Sequence, residues 1–189
     1  GKGVLASRLI DISGKIGDGV HRVVMDLAPL ELGELGLYMA VAHGSFAKIA
    51  RQAGLHYDVT LKGKVDDLER LDDTTKLAAY RIIQESITNV IRHAHASRCK
   101  VTLSVDQRGN ELYLIVGVQD DGVGLHNVPN IERIMVSIRD RALALNGCLH
   151  LRSRFGLRVH VLLRQRIAPY MKSVGSTSTD QRTLRADFS

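Results

Sequence analysis

Between Arg81 and Ala94 the chain reads RIIQESITNVIRHA, and no other stretch constrains the fold as much. At roughly 100° per residue, Ile83, Ile87, Val90 and Ala94 fall on one side of a helix, and Glu85, Asn89, Arg92 and His93 on the other. The apolar side has to be buried against a sheet, so the polar stripe lines whatever faces it. Taken alone, the stripe reads more simply as an ordinary solvated helix face.

Asp120 to Gly124, DDGVG, changes that balance. An apolar run, Glu111 to Val118, leads into a carboxylate flanked by glycines. Gly122 and Gly124 let backbone approach a ligand closely, and the Asp120 carboxylate is able to accept a hydrogen bond from an exocyclic amine. Glu85 and Asn89, on adjacent helical turns, offer hard oxygens of the kind Mg2+ takes when water and phosphate complete its octahedron. A lone DDG reads as a turn. Combined with the polar stripe, it points to a nucleotide pocket with its metal.

The rest of the chain supplies a scaffold. From Leu9 to Leu27, apolar residues recur every three or four positions (Leu9, Ile12, Ile16, Val20, Val23, Leu27), a seam suited to a bundle or coiled coil; Gly14, Gly17 and Gly19 make it dependent on a partner. Pro29 is expected to end this helix, with 30–36 as a connector. A second helix follows through Leu37, Ala40, Val41, Ala47 and Ala50 to a stop near Gly54. HYDVTL from His56 to Leu61 reads as a strand, and a charged loop runs to Asp73. The long helix spans Thr74 to about His95, with Asp72 or Asp73 as its cap.

Cys99–Val105 and Glu111–Val118 form a hairpin about the turn Gln107–Asn110. Ile131 to Leu145 is a further helix, stopped at Asn146-Gly147. A second hairpin pairs 147–153 with 157–164, and the tail from Ala168 is expected to be disordered. This order predicts an α+β layer, one sheet covered on one face by helices, with the leading helical segment outside it.

Composition removes several alternatives. The net charge of +6 comes from 26 Lys and Arg scattered among 20 acids, with part of the excess in the tail, and aromatic content is 4% with no Trp. Both features argue against direct nucleic-acid binding. Cys99 and Cys148 fall in predicted strands without ligand spacing and read as small core residues in a reducing setting. No run approaches the roughly 18 apolar residues of a membrane span, so membrane attachment would come only through other segments of a parent protein.

In order and spacing these motifs resemble the ATP-binding domain of two-component sensor histidine kinases, within the gyrase, chaperone and MutL ATPase superfamily. YRIIQESITNVIRHA resembles the N box and VQDDGVGL the G1 box; VVMDLAPLELGELGL resembles the end of a second dimerisation helix and its link. IRDRALALNGCLHLRSRFGLRVHVLL resembles the helix and last hairpin after the ATP lid. The nitrate- and hexose-phosphate-type sensors are the most similar group. The resemblance implies a two-layer α/β sandwich (Bergerat fold) at 31–165, preceded at 1–30 by part of a dimerisation hairpin and followed at 166–189 by a basic tail.

It also implies ATP and Mg2+ as ligands. Asn89 and Glu85 would serve the metal and catalysis, and Asp120 would accept the adenine amine. Gly122 and Gly124 would pass the nucleotide, and Arg139 would belong to the Arg-Glu-Arg-like triplet. His93 would either line the phosphate side or be a structural histidine at the helix end. The partners implied are a second copy, through the N-terminal helix, and a response regulator; the location implied is cytoplasmic.

Three departures stand out. Ile134 and Ser137 occupy places where the family carries lid glycines, so either the phosphate loop is altered or the segment extends the helix. Leu157 follows Gly156 where the family has Thr, which removes a hydroxyl. The family's acceptor histidine is followed by an acid, whereas His21 is followed by Arg22, so the acceptor is expected upstream of Gly1. The expected function is the catalytic region of a sensor histidine kinase. The alternative is a degenerate, non-catalytic module used for dimerisation or regulation.

Overall fold

The structure, a computed structural model, describes residues 30–124 and 131–167. The expected N-terminal seam with His21, and the expected disordered tail, lie outside the described residues.

The chain is helical over 30–43 (α1), with Gly36 in left-handed conformation at φ 70°. The expected connector over 30–36 is therefore helix. Proline favours the first turn of a helix as much as it disfavours the turn before it, because the N–H it lacks has no partner in a first turn. Helix α2 (Ser45–Gln52) follows, then β1 (His56–Lys62).

The charged loop after β1 contains a short helix, α3 (Val65–Glu69), opened by Asp66 and Asp67 and anchored by buried Leu68. Acids in a first turn suit the helix dipole, a signal that the density of charge conceals in the sequence. Asp72 rather than Asp73 caps α4 (Asp73–Asn89), its Oδ1 accepting the Thr75 N–H at 2.7 Å.

Strands β2 (Arg98–Arg108) and β3 (Glu111–Asp120) form the first hairpin; they run longer than expected and close on Gly109 and Asn110. After α5 (Ile131–Ala144), β4 (Cys148–Ser153) and β5 (Leu157–Arg166) form the second. The five strands lie in the order β1-β2-β3-β5-β4, with β1 and β2 parallel and the other pairs antiparallel. The parallel pair is joined through α3 and α4, as a crossover requires.

Alternation along β3 buries Leu112, Leu114, Val116, Val118 and Asp120 on one face. Val101 and Leu103 of β2, and Val159, Val161 and Leu163 of β5, share that face. They join one core with Leu37, Phe46, Ala79, Ile83, Ile87 and Ile138 from the helices. Cys99 lies in this core, but Cys148 is exposed on edge strand β4, against the expectation that both thiols are internal. An edge strand opposite a covered face leaves every second side chain to solvent.

One polar network ties the first helices to α4. The Glu31 carboxylate accepts hydrogen bonds from the backbone N–H of Ser45 at 2.8 Å, from the Ser45 hydroxyl, and from the Tyr80 hydroxyl at 2.5 Å. The Tyr80 ring meets Phe46 edge to face, with centroids 4.9 Å apart. Burial pushes the Glu31 carboxyl up, but the Ser45 and Tyr80 hydrogen bonds outweigh it and hold the group below its ordinary value.

A carboxylate with a lowered folded pKa contributes stability that is present above its unfolded pKa and lost as pH falls through the folded one. Tyr80→Phe removes one donor to a charged acceptor. It is expected to destabilise the fold by about 1.5 kcal/mol at neutral pH, and by less once Glu31 is protonated. Urea unfolding at both pH values checks this.

Candidate functional site

Asp120 ends β3 on the helix-covered face, in register with Cys99, and is only 4% exposed. Its Oδ1 accepts two backbone N–H groups, from Gly122 at 2.8 Å and Leu157 at 3.2 Å. Both of these hydrogen bonds fall on Oδ1, and neither uses Oδ2. Desolvation raises the carboxyl above its ordinary value, against the lowering effect of those N–H groups. Burial likewise pushes the neighbouring Cys99 thiol up to about 12, with Asp120 adding to the effect, so this cysteine is inert at neutral pH.

Asp121 is a different kind of group. It is exposed; its Oδ1 accepts the N–H groups of Ser97 and Arg98, each at 2.8 Å, and its Oδ2 accepts the Ser97 hydroxyl at 2.7 Å. Those bonds, that of the Ser97 hydroxyl first, hold its carboxyl below the ordinary value. Of the two adjacent acids, Asp121 staples the start of β2 to the end of β3. Asp120 uses Oδ1 alone for both of its backbone bonds, in a buried setting.

Two close backbone approaches build the walls around Asp120. A Cβ at Gly122 would land on the carbonyl oxygen of Ala94, which accepts the Val123 N–H at 2.9 Å. Gly156, in the turn between β4 and β5 at φ 81°, lies so close that a Cβ there would strike the Asp120 carbonyl oxygen. The end of the long helical segment, the loop after β3 and the β4–β5 turn therefore converge on one carboxylate.

The long helix does not run to His95 as one α-helix. It changes after Asn89 into a π-helical turn, Val90–Ala94, and His95 closes it in left-handed conformation at φ 48°. π-Turns are rare and frequent at functional sites. This one ends in the carbonyl that holds the 120–124 loop.

The faces expected at 100° per residue nevertheless persist through this wider turn. Ile83, Ile87, Val90 and Ala94 are buried, Glu85 and Asn89 are half-buried, and Arg92 and His93 are exposed. Two amide nitrogens on α4, Gln84 Nε2 and Asn89 Nδ2, are buried without a partner; the Gln84 oxygen is occupied by Arg81, 3.1 Å away. A buried donor left unpaired is costly, so Asn89 is a side chain whose environment is incomplete.

Arg139 is exposed on α5, and no described hydrogen bond or ion pair joins it or His93 to Asp120 or Asn89. Ile134 and Ser137 both stand inside α5, so the segment extends the helix there. Ser137 also accepts hydrogen bonds from Arg141 Nη1, at 3.0 Å to its carbonyl oxygen and again at its hydroxyl. Leu157 lacks the hydroxyl of threonine but contributes its backbone N–H to Asp120. Sequence reasoning missed this contribution and the place of Gly156 against Asp120. The only available signal was a glycine set between two strand patterns.

The sequence profile of the family described as histidine kinase-, DNA gyrase B-, and HSP90-like ATPases matches residues 74–179, over half of the 189. The chain belongs to this ATPase family. Its curated relatives include the signal transduction histidine-protein kinase/phosphatase UhpB of Salmonella typhimurium, 31% identical over 156 residues, or 79% of this chain and 29% of the relative. The oxygen sensor histidine kinase NreB of Staphylococcus carnosus is 24% identical over 152 residues, 79% of this chain and 42% of the relative. The chain thus spans less than half the length of either relative.

Among solved structures, the histidine kinase domain of the Erythrobacter litoralis EL346 blue-light activated kinase superposes with a TM-score of 0.55 over 85% of both chains, at 17% identity. That likeness supports the ATPase fold, an α+β sandwich of the histidine kinase type. Family membership and the sensor-kinase relatives establish a histidine kinase ATPase domain, and nothing in them favours the degenerate alternative. Among the described residues no helix is long and apolar enough to cross a membrane.

Proposed function

We propose that this domain binds Mg-ATP between α4 and the loop after β3, and is the catalytic region of a sensor histidine kinase. The observation that carries this reading is the state of Asp120: both backbone bonds fall on Oδ1, neither uses Oδ2, and the group is buried between two glycine-permitted approaches. Such a carboxylate suits an amine donor on a flat, neutral ring, which adenine supplies.

Asn89 and Glu85 fit the phosphate end. Their spacing of four residues on α4 sets an amide oxygen and a carboxylate one turn apart, and the unpaired Asn89 Nδ2 supplies a donor for a phosphate oxygen. Mg2+ would neutralise charge on the phosphates when bound. It needs few protein oxygens, so a cage of three acidic or histidine ligands is not required. His93 and Arg139, both exposed, are placed in this reading as outer phosphate contacts.

The domain's own contribution is therefore to hold and orient the nucleotide, and to offer its γ-phosphoryl to a histidine on a dimeric helical stalk. Segment 1–30 belongs to that stalk, 31–165 to the ATPase domain and 166–189 to a basic tail. The phosphoryl group then passes to a response regulator, and the domain works on the cytoplasmic side.

A calorimetric titration of the chain with Mg-ATP is expected to show binding, and none at millimolar nucleotide would refute the reading. Asn89→Ala is expected to weaken Mg-ATP binding by roughly ten-fold or more, through loss of one charge-assisted contact, with a smaller effect on ADP without metal. Equal losses for the two ligands would remove Asn89 from the metal and γ-phosphate end. In the longer parent protein, transferred phosphate should be acid-labile, as on histidine. Acid-stable phosphate would place it on serine or threonine.

A further inference from the structure

The second hairpin carries a cluster of cations that the nucleotide site does not use. On the face of the sheet opposite Asp120, Arg152 of β4 lies directly across from Arg158 of β5, and His150 directly across from His160. Like charges facing each other across a strand pair are unfavourable. The Arg152–Arg158 pair therefore makes a poor design for the isolated fold, and the pair beside it on the same face, His150 and His160, supplies no carboxylate to offset it.

The setting strengthens the point. Burial first, and then Arg158, His150, Lys62 and Arg152, all basic, hold the His160 pKa below its ordinary value. The carboxylates of this face have other partners: Asp58 faces His56 at 3.3 Å, Asp106 pairs with Arg108 at 2.9 Å, and Glu111 pairs with Arg164. Among the described residues, Arg158 makes only a neutral contact, to Gln119 Oε1 at 2.6 Å.

Beyond the two pairs, Arg154 and Phe155 form the tip of the hairpin. Phe155 is 84% exposed, with the Arg154 guanidinium 5.6 Å from the centre of its ring. A cavity of about 300 Å³, bordered by Gln119, Arg152, Arg154, Phe155 and Arg158, opens beside it.

We propose that the tip of the β4–β5 hairpin docks on an anionic phospholipid surface, with a headgroup phosphate seated among Arg152, Arg154 and Arg158 and the Phe155 ring inserted at the acyl boundary. Arginine forks match phosphate oxygens, and neutralisation relieves the facing cations. A single protruding aromatic has no pocket of its own, and a lipid interface buries it without one. Single-stranded nucleic acid would instead call for stacking residues on the strands. There the sheet offers Tyr113, already engaged by Arg108 and Glu111. Such docking would give the domain a membrane contact of its own, beyond any anchor elsewhere in a longer protein, and does not depend on nucleotide binding.

The chain has no Trp, so Phe155→Trp adds a single indole reporter. With vesicles of phosphatidylcholine plus phosphatidylglycerol, that indole should shift to the blue and the chain should co-sediment; with phosphatidylcholine alone, neither should occur. Each arginine removed, as in Arg152→Gln or Arg158→Gln, should weaken vesicle binding roughly five-fold, and raised salt should weaken it further. Phe155→Ala should reduce binding while leaving the circular dichroism spectrum and Mg-ATP titration unchanged. Absence of vesicle binding would overturn the proposal. So would binding insensitive to Phe155→Ala and to both arginine changes, or capture of a DNA oligonucleotide in preference to the vesicles.

Discussion

Asp120→Asn is expected to remove measurable nucleotide binding while leaving the chain at least as stable as the parent at neutral pH. Isosteric asparagine keeps an oxygen for the N–H groups of Gly122 and Leu157, so the local backbone has no reason to move. What changes is the other edge. A carboxylate oxygen becomes an NH2 group, and a donor would then face the amine donor that the proposed pose places there. Losing a hydrogen bond to a charged group costs about 3 kcal/mol at the upper end, roughly a hundred-fold in affinity, before the clash of donors is counted.

Stability should move the other way. Desolvation raises the folded pKa of Asp120, so its contribution is fully present below the unfolded pKa and is lost as pH rises through the folded one. Once ionised, the buried carboxylate is a net cost that asparagine does not carry. Thermal melts at about pH 4 and pH 8 should therefore show the variant gaining on the parent as pH rises. A variant that still binds Mg-ATP, or that melts well below the parent at the higher pH, would mean that Asp120 is structural and the ligand sits elsewhere.

How much of this was legible follows from which interactions are local. The apolar side of the Arg81–Ala94 helix was readable because packing on a sheet demands it, and Ile83 and Ile87 are indeed buried. Both hairpins were readable from alternation, since a strand with one covered face must alternate. The stop at Asn146 holds, with φ at 50°.

Other features depend on contacts far apart in the chain. The π-turn after Asn89 ends in a carbonyl taken by Val123, and nothing in VIRHA announces a wider turn. The separate tasks of Asp120 and Asp121 are set by Leu157 and Ser97, which the chain brings in from either side. The exposure of Cys148 comes from its place with His150 and Arg152 on the face opposite the helices, which alternation along β4 itself cannot reveal. Pattern gives the face a residue occupies. The neighbouring strands decide whether that face is covered.

Gly156 gives the sharpest test of how the hairpin and the pocket depend on each other. Its φ of 81° lies where a side chain is strained, and a Cβ there would meet the carbonyl oxygen and then, at 3.1 Å, the Oδ1 of Asp120. Neither partner yields easily, because the carbonyl belongs to strand β3 and Oδ1 is held by Gly122 and Leu157.

Gly156→Ala is therefore expected to cost about 3 kcal/mol, from left-handed strain of about 1–2 kcal/mol plus a displacement of packed backbone. In a domain of this size that lowers the melting temperature by about 10 °C. The matched control is Gly109→Ala at φ 58°, where no atom lies within 4 Å of the new Cβ. It carries the strain alone and should lose about 1–2 kcal/mol with nucleotide binding intact.

The collision also pushes the β4–β5 turn away from β3, and with it the Leu157 N–H that fixes the Asp120 rotamer. Affinity for nucleotide at a temperature where Gly156→Ala remains folded should thus fall together with stability, whereas in Gly109→Ala the two should separate. If both variants lose stability equally and both still bind, the approach of Gly156 to Asp120 is only a feature of the turn, and the second hairpin takes no part in shaping the pocket.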